Sequence, residues 1–258
     1  MAIIYRYRMI SKEELVELKE QKKISLYYLE KEYLQHIFLN AISKYGASII
    51  FKGGTCLRLC YGLERASEDL DFSTGFNIFR LKEIVNECMK NFSLLGIEHF
   101  SIVEKQFEGN MRFEIKFKGP LYNGSLNSAN NLKIDFNKNK VFYKTPRVIP
   151  LLFSDIPVFT IVALEEKEIL AEKIRAIAQR KQSRDLYDLW ILLKNGVEID
   201  KELIRKKLKE EKAEIEKINL PSKEAYTIDL KNLLSYIPSY EQVKEEIMRL
   251  INRLKNEK

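Results

Sequence analysis

Between Ser48 and Phe72 the chain reads as a strand, a glycine turn, a short helix and a second strand, and this succession restricts the fold more than any other stretch. Ser48 to Phe51 is a short apolar, β-branched run that stops at Lys52-Gly53-Gly54-Thr55. Cys56 to Leu63 has helical character, just long enough to return the chain to a sheet, and Leu70 to Phe72 resumes strand character. Strand side chains two apart point the same way, so Asp69 and Asp71 are expected to project together while Leu70 and Phe72 face the core.

Around this unit the periodicity predicts a helical N-terminal segment from Ser11 to about Tyr45 and a helix from Phe79 to Leu95. Paired strands are expected at Ser101–Phe107 and Met111–Phe117, a loop at Asn123–Asn131 and a strand at Leu132–Phe136. Beyond Leu164 the reading is almost wholly helical, with Pro221 and Pro238 as breakers and a last amphipathic helix from about Tyr240 to Leu254. Lys201 to Lys217 reads as one solvated helix. The expectation is an α/β (α+β) protein with a mixed-sheet lobe over 1–162, including the helical N-terminal segment, and a mainly helical lobe over 163–258.

Composition sets limits on function. The 44 Lys plus Arg against 37 Asp plus Glu leave a formal charge of +7, which favours polyanionic partners, although a Lys/Glu-rich surface also suits ion-pair networks. No stretch reaches the roughly 20 apolar residues of a membrane-spanning helix, and Met1 to Arg8 lacks an apolar signal core. A cytoplasmic, unexported protein without membrane contact is expected. Cys56, Cys60 and Cys88 read as buried small residues, since neither His36 nor His99 stands at a zinc-ligand spacing from them.

The chemistry concentrates in two places. The glycine pair allows close approach of the backbone to a phosphate, the helix that follows offers unpaired N–H groups, and Thr55 adds a hydroxyl. Asp69 and Asp71 beside it suit Mg²⁺ or Mn²⁺, which take carboxylates plus phosphate oxygens. Asp135, an acid in an otherwise favourable strand, is the candidate third ligand. The turn lacks the Gly-Lys-Ser/Thr ending of a P-loop kinase or ATPase. Further along, Lys173, Arg180, Arg184 and Asp188 fall on one helical stripe, or on two helices joined near Lys181 to Ser183. That stripe suits a triphosphate, with Lys173 as a point charge and an Arg gripping it by two hydrogen bonds. The bland reading is a solvent face stitched by pairs such as Arg184 with Asp188.

These motifs resemble the AbiEii family of nucleotidyltransferases, the toxin component of abortive-infection and related toxin–antitoxin systems. The resemblance rests on Leu29-Glu30-Lys31-Glu32-Tyr33, Lys52-Gly53-Gly54-Thr55, Arg65-x-Ser67-x-Asp69-x-Asp71-Phe72 and Asp135 on its strand. It continues through Ala171-Glu172-Lys173 to Arg180-x-x-x-Arg184-Asp185-x-x-Asp188-Leu189. It implies a polymerase-β-like fold and an enzyme that uses a nucleoside triphosphate. Asp69 and Asp71 would hold metal, and Lys173 and Asp185 would complete the catalytic set. Gly54 and Thr55 would bind phosphate, with Lys52, Gly53, Ser67, Arg180 and Arg184 also among the nucleotide-binding residues. Glu32 stands where the N-terminal motif is expected to have Asp, and Gly-Thr replaces the common Gly-Ser with the hydroxyl retained. The resemblance further implies an RNA acceptor, such as a tRNA end, and an antitoxin protein as partner. Two other readings share the site: a non-catalytic nucleotide or RNA binder, disfavoured by the two acids, and an enzyme acting on a small hydroxylated molecule.

Overall fold

The computed structural model describes residues 8–22 and 24–256. The opening stretch read above for a signal core lies, apart from Arg8, outside the described residues. The chain divides into a unit of residues 1–62 and 66–163 and a unit of residues 63–65 and 164–258.

The first unit begins with α1 (Lys12–Lys22) and α2 (Leu26–Ile42), the latter capped by Ser25, which accepts from the Tyr28 backbone N–H. Then come β1 (Ile49–Lys52), α3 (Gly53–Tyr61), β2 (Asp69–Thr74) and α4 (Ile78–Leu94). The strands β3 (Glu98–Phe107), β4 (Asn110–Lys118), β5 (Asn130–Asn137), β6 (Lys144–Ile149) and β7 (Phe159–Leu164) follow. Among the described residues, seven strands form one mixed sheet in the order β3-β4-β5-β2-β1-β7-β6. β5 runs parallel to β2, and β7 parallel to β1, while the β1–β2, β3–β4 and β4–β5 pairs are antiparallel.

Alternation decides which face of the sheet is dry. Met111, Phe113, Ile115 and Phe117 of β4, Leu132, Ile134 and Phe136 of β5, and Leu70 and Phe72 of β2 are buried. Phe72 stacks on Phe136 at 5.3 Å between ring centroids and meets Phe38 of α2 at 6.4 Å, and Phe92 of α4 stacks on Phe117 at 4.5 Å. The helices α2 and α4 therefore cover this face. Asp69, Asp71, Lys133, Asp135 and Arg112 alternate onto the other face and are only half-buried. The sequence pattern passes over β6 because Pro146 interrupts it. A proline without an N–H is tolerated there because β6 is an edge strand.

The second unit holds α5 (Glu166–Gln179), α6 (Ser183–Lys194), α7 (Lys201–Glu210), α8 (Lys223–Leu230) and α9 (Tyr240–Asn256). Pro221 and Pro238 each lie two residues before a helix start, as breakers do. The single helix expected over Lys201–Lys217 is shorter. It ends at Glu210, Lys212 takes a positive φ of 51°, and a separate turn of 3₁₀ helix covers Ile215–Lys217. The core includes Leu170, Ile174, Leu186, Leu189, Ile247 and Ile251. Lys207 is fully buried among them, bridging Glu168 at 2.7 Å and Glu172 at 3.2 Å. Among the described residues, no helix is long and apolar enough to cross a membrane.

Candidate active site

The turn between β1 and α3 is built around an absent side chain. Gly53 has a φ of +79°, which disfavours any residue with a Cβ, and a Cβ placed there would collide with the Asp71 carboxylate. Lys52 and Asp71 are direct partners across the antiparallel β1–β2 pair, so register brings the carboxylate over the start of α3. Lys52, the N-cap residue of α3, makes no side-chain capping bond. Helix starts carry unpaired N–H groups and a partial positive charge, so this is a favourable place for an anionic group. Gly54 and Thr55 lie in the first turn and are buried. The Thr55 hydroxyl donates to the Asp69 carbonyl at 2.5 Å and lies 2.9 Å from the Ser67 hydroxyl. It fastens α3 to the entrance of β2.

Asp135 is the direct partner of Asp71 across the parallel β2–β5 pair and projects from the same face. Its carboxylate accepts two hydrogen bonds from Arg112 of β4, from Nε at 2.8 Å and from NH2 at 3.1 Å. Among the described residues, no three or more His, Cys, Asp or Glu side chains gather as a metal cage. The donor set that fits a hard divalent cation is thus the Asp69–Asp71 pair, with Asp135 engaged by an arginine.

The Leu29–Tyr33 motif acts as a clamp on this region. Glu30 accepts from the Leu121 N–H at 2.7 Å and from Asn130 at 2.9 Å. Its carboxylate comes so close to Gly119 that a Cβ there would lie 2.6 Å from Oε1. Lys31 donates to the carbonyl and side-chain oxygen of Asn131 at 2.5 and 3.0 Å. Burial pushes the Lys31 amine down to about 8, against the opposing pull of Glu68 and Asp69. Glu32 accepts from Arg58 of α3 at 2.7 Å, a role its longer side chain fills in place of the expected Asp. Gln35 donates to the carbonyls of Ser67 and Glu68 at 3.0 and 3.2 Å. Together they tie α2 to the first residues of β5, to α3 and to the backbone leading into Asp69.

In the helical unit the predicted stripe breaks into two helices at Arg180–Gln182, and Arg180 adopts extended backbone at the end of α5. Two of its members, Lys173 and Asp188, are buried together with Asp185, while Arg180 is exposed and Arg184 half-buried. Lys173, Asp185 and Asp188 are 7%, 2% and 0% exposed. Lys173 lies 2.8 Å from Asp185 and 2.6 Å from Asp188. Asp188 also receives two bonds from Arg65, at 2.5 and 2.7 Å, and Asp185 receives one from Arg180 at 2.8 Å. The result is an alternating chain Arg65–Asp188–Lys173–Asp185–Arg180, buried except for the Arg180 side chain, which is 62% exposed. Burial alone would raise both carboxyls, but Lys173 and Arg180 hold Asp185 below the usual range, and Arg65 and Lys173 do the same for Asp188. Arg184 opens the same helix α6.

Three participants escape the sequence reading, Gln35 among them because it lies beyond the Leu29–Tyr33 motif. Arg112 shows no signal in sequence because its partnership with Asp135 depends on the β4–β5 register. Arg65 stands inside a quoted motif, yet its partner is 123 residues away.

A sequence profile of a family described as nucleotidyl transferase AbiEii toxin, type IV toxin–antitoxin system, matches residues 37–252. Comparison with curated proteins gives no match. Among solved structures, the chain is similar to the nucleotidyltransferase toxin MenT4 of Mycobacterium tuberculosis, with a TM-score of 0.73 and 16% identity over 96% of this chain and 91% of that one. It is also similar to JHP933 of Helicobacter pylori, with a TM-score of 0.58 and 22% identity over 90% and 93% of the two chains. At these identities the structural likenesses establish a shared fold.

Proposed function

The chain belongs to the AbiEii family of nucleotidyl transferase toxins and is a nucleotidyltransferase, and from that premise we propose a magnesium-dependent transfer of a nucleotide from a nucleoside triphosphate to an RNA hydroxyl. One observation carries the proposal: Asp69 and Asp71 share a face of β2, with the Asp71 carboxylate seated over Gly53 at the start of α3.

In this reading Asp69 and Asp71 would hold Mg²⁺ or Mn²⁺ beside the triphosphate, in keeping with the habit of Mg²⁺ to combine one or two carboxylates with substrate phosphates. The bound cation would offset phosphate charge and favour ionisation of the attacking hydroxyl. The backbone N–H groups of Gly54 and Thr55 receive the triphosphate at the helix start. Thr55 and Ser67 keep α3 and β2 in register through their hydroxyls, and Lys52 places Asp71 across the strand pair. The acceptor hydroxyl gives up its proton to solvent as its oxygen forms a bond to the α-phosphorus, the bond from the α-phosphorus to the α–β bridging oxygen breaks, and pyrophosphate leaves. Asp135 would serve as a third ligand only on leaving its Arg112 partner.

The family resemblance assigns Lys173 and Asp185 to the catalytic set and Arg180 and Arg184 to nucleotide binding; within the helical unit, Lys173 and Asp185 hold Arg180 as the exposed end of the buried ion chain. The lobes expected over 1–162 and 163–258 differ from the two compact units by one residue at the boundary and by residues 63–65, which belong to the helical unit. The family's place in toxin–antitoxin systems implies a cognate antitoxin, and a cytoplasmic location suits an NTP-consuming toxin with three buried cysteines that form no disulfide among the described residues.

The test is to incubate the protein and Mg²⁺ with each α-labelled nucleoside triphosphate and total cellular RNA, beside Asp71→Asn. Label on RNA that is lost in the variant supports the reading and shows the preferred base. Label on a small molecule in RNA-free extract would replace RNA by a small acceptor, and no label on any acceptor would overturn the proposal.

A further inference from the structure

The sheet face that bears Asp69 and Asp71 continues across β5 and β4 to the edge strand β3. One cross-strand row runs Asp71, Asp135, Arg112, Lys105, each the direct partner of the next. Side chains two apart share a face, so Phe107 of β3, Lys116 of β4 and Lys133 of β5 belong to it as well. Phe107 lies at the open edge of the sheet, 45% exposed, with the Arg112 guanidinium 5.8 Å from its ring centre. Neighbouring strands are ~4.8 Å apart and residues along a strand ~3.3 Å, which sets Phe107 roughly 16 Å from Asp71.

Charge on this stretch is mostly settled internally. Arg112 holds Asp135, Lys105 lies 2.8 Å from Glu114, and Lys118 lies 2.5 Å from Glu98. Lys133 is the exception beside the catalytic acids. Register sets it directly between Asp69 and Glu114, yet among the described residues it makes no hydrogen bond or ion pair, and neither does Lys116. Beyond the two acids, the face therefore offers these two ammonium groups and an exposed ring backed by a guanidinium. Phosphates take up such point charges, and unpaired bases stack on aromatic and guanidinium planes, so the combination fits a single-stranded nucleic acid.

Granting the RNA acceptor proposed above, on which this rests, we infer that the 3′ end of that RNA lies across β5 and β4, with one base stacked on Phe107. Lys133 holds the phosphate nearest the attacking hydroxyl, which lies at Asp69 and Asp71. The roughly 16 Å to the ring is a span for the last few nucleotides in extended, unpaired form. Lys116 lies on the same face but on the side of Lys133 away from Phe107, so the path leaves it untouched.

The experiment uses the full chain and a short unstructured oligoribonucleotide carrying 5-iodouridine near its 3′ end, which on irradiation couples to an aromatic ring stacked on it. Coupling is expected at Phe107. Phe107→Leu should weaken binding, measured by fluorescence anisotropy, about tenfold and raise the KM for RNA but not for the triphosphate, while Phe107→Tyr retains the wild-type values. Lys133→Gln should lower the slope of log affinity against log salt by about 0.7, as loss of one single-strand phosphate contact requires, and Lys116→Gln should leave it unchanged. An RNA that the wild type binds and labels, but without coupling at Phe107 and equally well in Phe107→Leu, would overturn this placement and leave the RNA acceptor standing. A wild type that neither binds nor labels RNA while it labels a small acceptor would overturn both.

Discussion

On β2, Asp69 and Asp71 are half-buried beside a helix start, whereas Asp185 and Asp188 of the helical unit are almost fully buried and each is held by two cations. The two acid pairs look alike in sequence, with spacings of two and three residues inside regular elements. They differ in what their charge is free to do. A half-buried carboxylate on a sheet face can exchange its partners for a metal or a phosphate-bound cation. A buried one already compensated on both sides cannot lose a partner without leaving a charge stranded in low dielectric. The sheet pair is therefore suited to chemistry, and the helical pair to holding an arginine in place.

The sharpest way to break this comparison is Lys173→Met. It removes the central cation and leaves two carboxylates buried, which is expected to cost about 3–5 kcal/mol of stability. Urea denaturation measures it, and a loss below about 1 kcal/mol would return Lys173 to the role of a dispensable surface charge. Gly53→Ala comes next. It forces a Cβ into a positive φ, at about 1–2 kcal/mol, and pushes on the Asp71 carboxylate. Transfer should therefore fall by a larger factor than the loss of stability explains, as measured by single-turnover rate beside the urea midpoint.

Acid should affect the helical pair in a defined direction. Asp185 and Asp188 titrate below their unfolded values, near 3.9, so their contribution is complete above that pH and is lost as pH falls toward the folded values. Lys173 is raised despite its burial by Asp185 and Asp188, so its contribution is complete at neutral pH and lost only above the ordinary lysine range. The urea midpoint is expected to hold from pH 7 to about 5 and to drop below 4, with a shallower drop in Asp185→Asn. An equal drop in both proteins would assign acid sensitivity to other carboxylates. The smallest effect is expected from Arg112→Gln. It frees Asp135 and should strengthen Mn²⁺ binding by a few-fold in calorimetry, whereas unchanged binding would place Asp135 outside the metal site.

The legibility of these features in the sequence follows the range of the interactions that create them. The strand–turn–helix–strand unit could be read because glycines, periodicity and alternation are local, and the common face of Asp69 and Asp71 follows from a period of two. The helical stripe of Lys173 and Asp188 was equally visible, but i, i+4 spacing is the same on a wet and a dry face. Its burial depends on Arg65, brought in from 123 residues away. Arg112 and Asp135 meet only through sheet register, and β6 is hidden by a proline that an edge strand tolerates. Of the clamp, Glu30, Lys31 and Glu32 lie in a motif visible in the sequence, while Gln35 and the partners on α3, β5 and the Ser67–Glu68 backbone require the fold.

The most direct test of the central claim measures two quantities on one variant, Asp71→Asn: the single-turnover rate of nucleotide transfer and the thermal midpoint. Loss of a metal-binding charge worth several kcal/mol in the transition state predicts a rate reduced by about 10³-fold or more with a nearly unchanged midpoint. A variant that transfers at the wild-type rate, or one that loses activity only because it unfolds, would contradict the assignment of chemistry to the sheet pair.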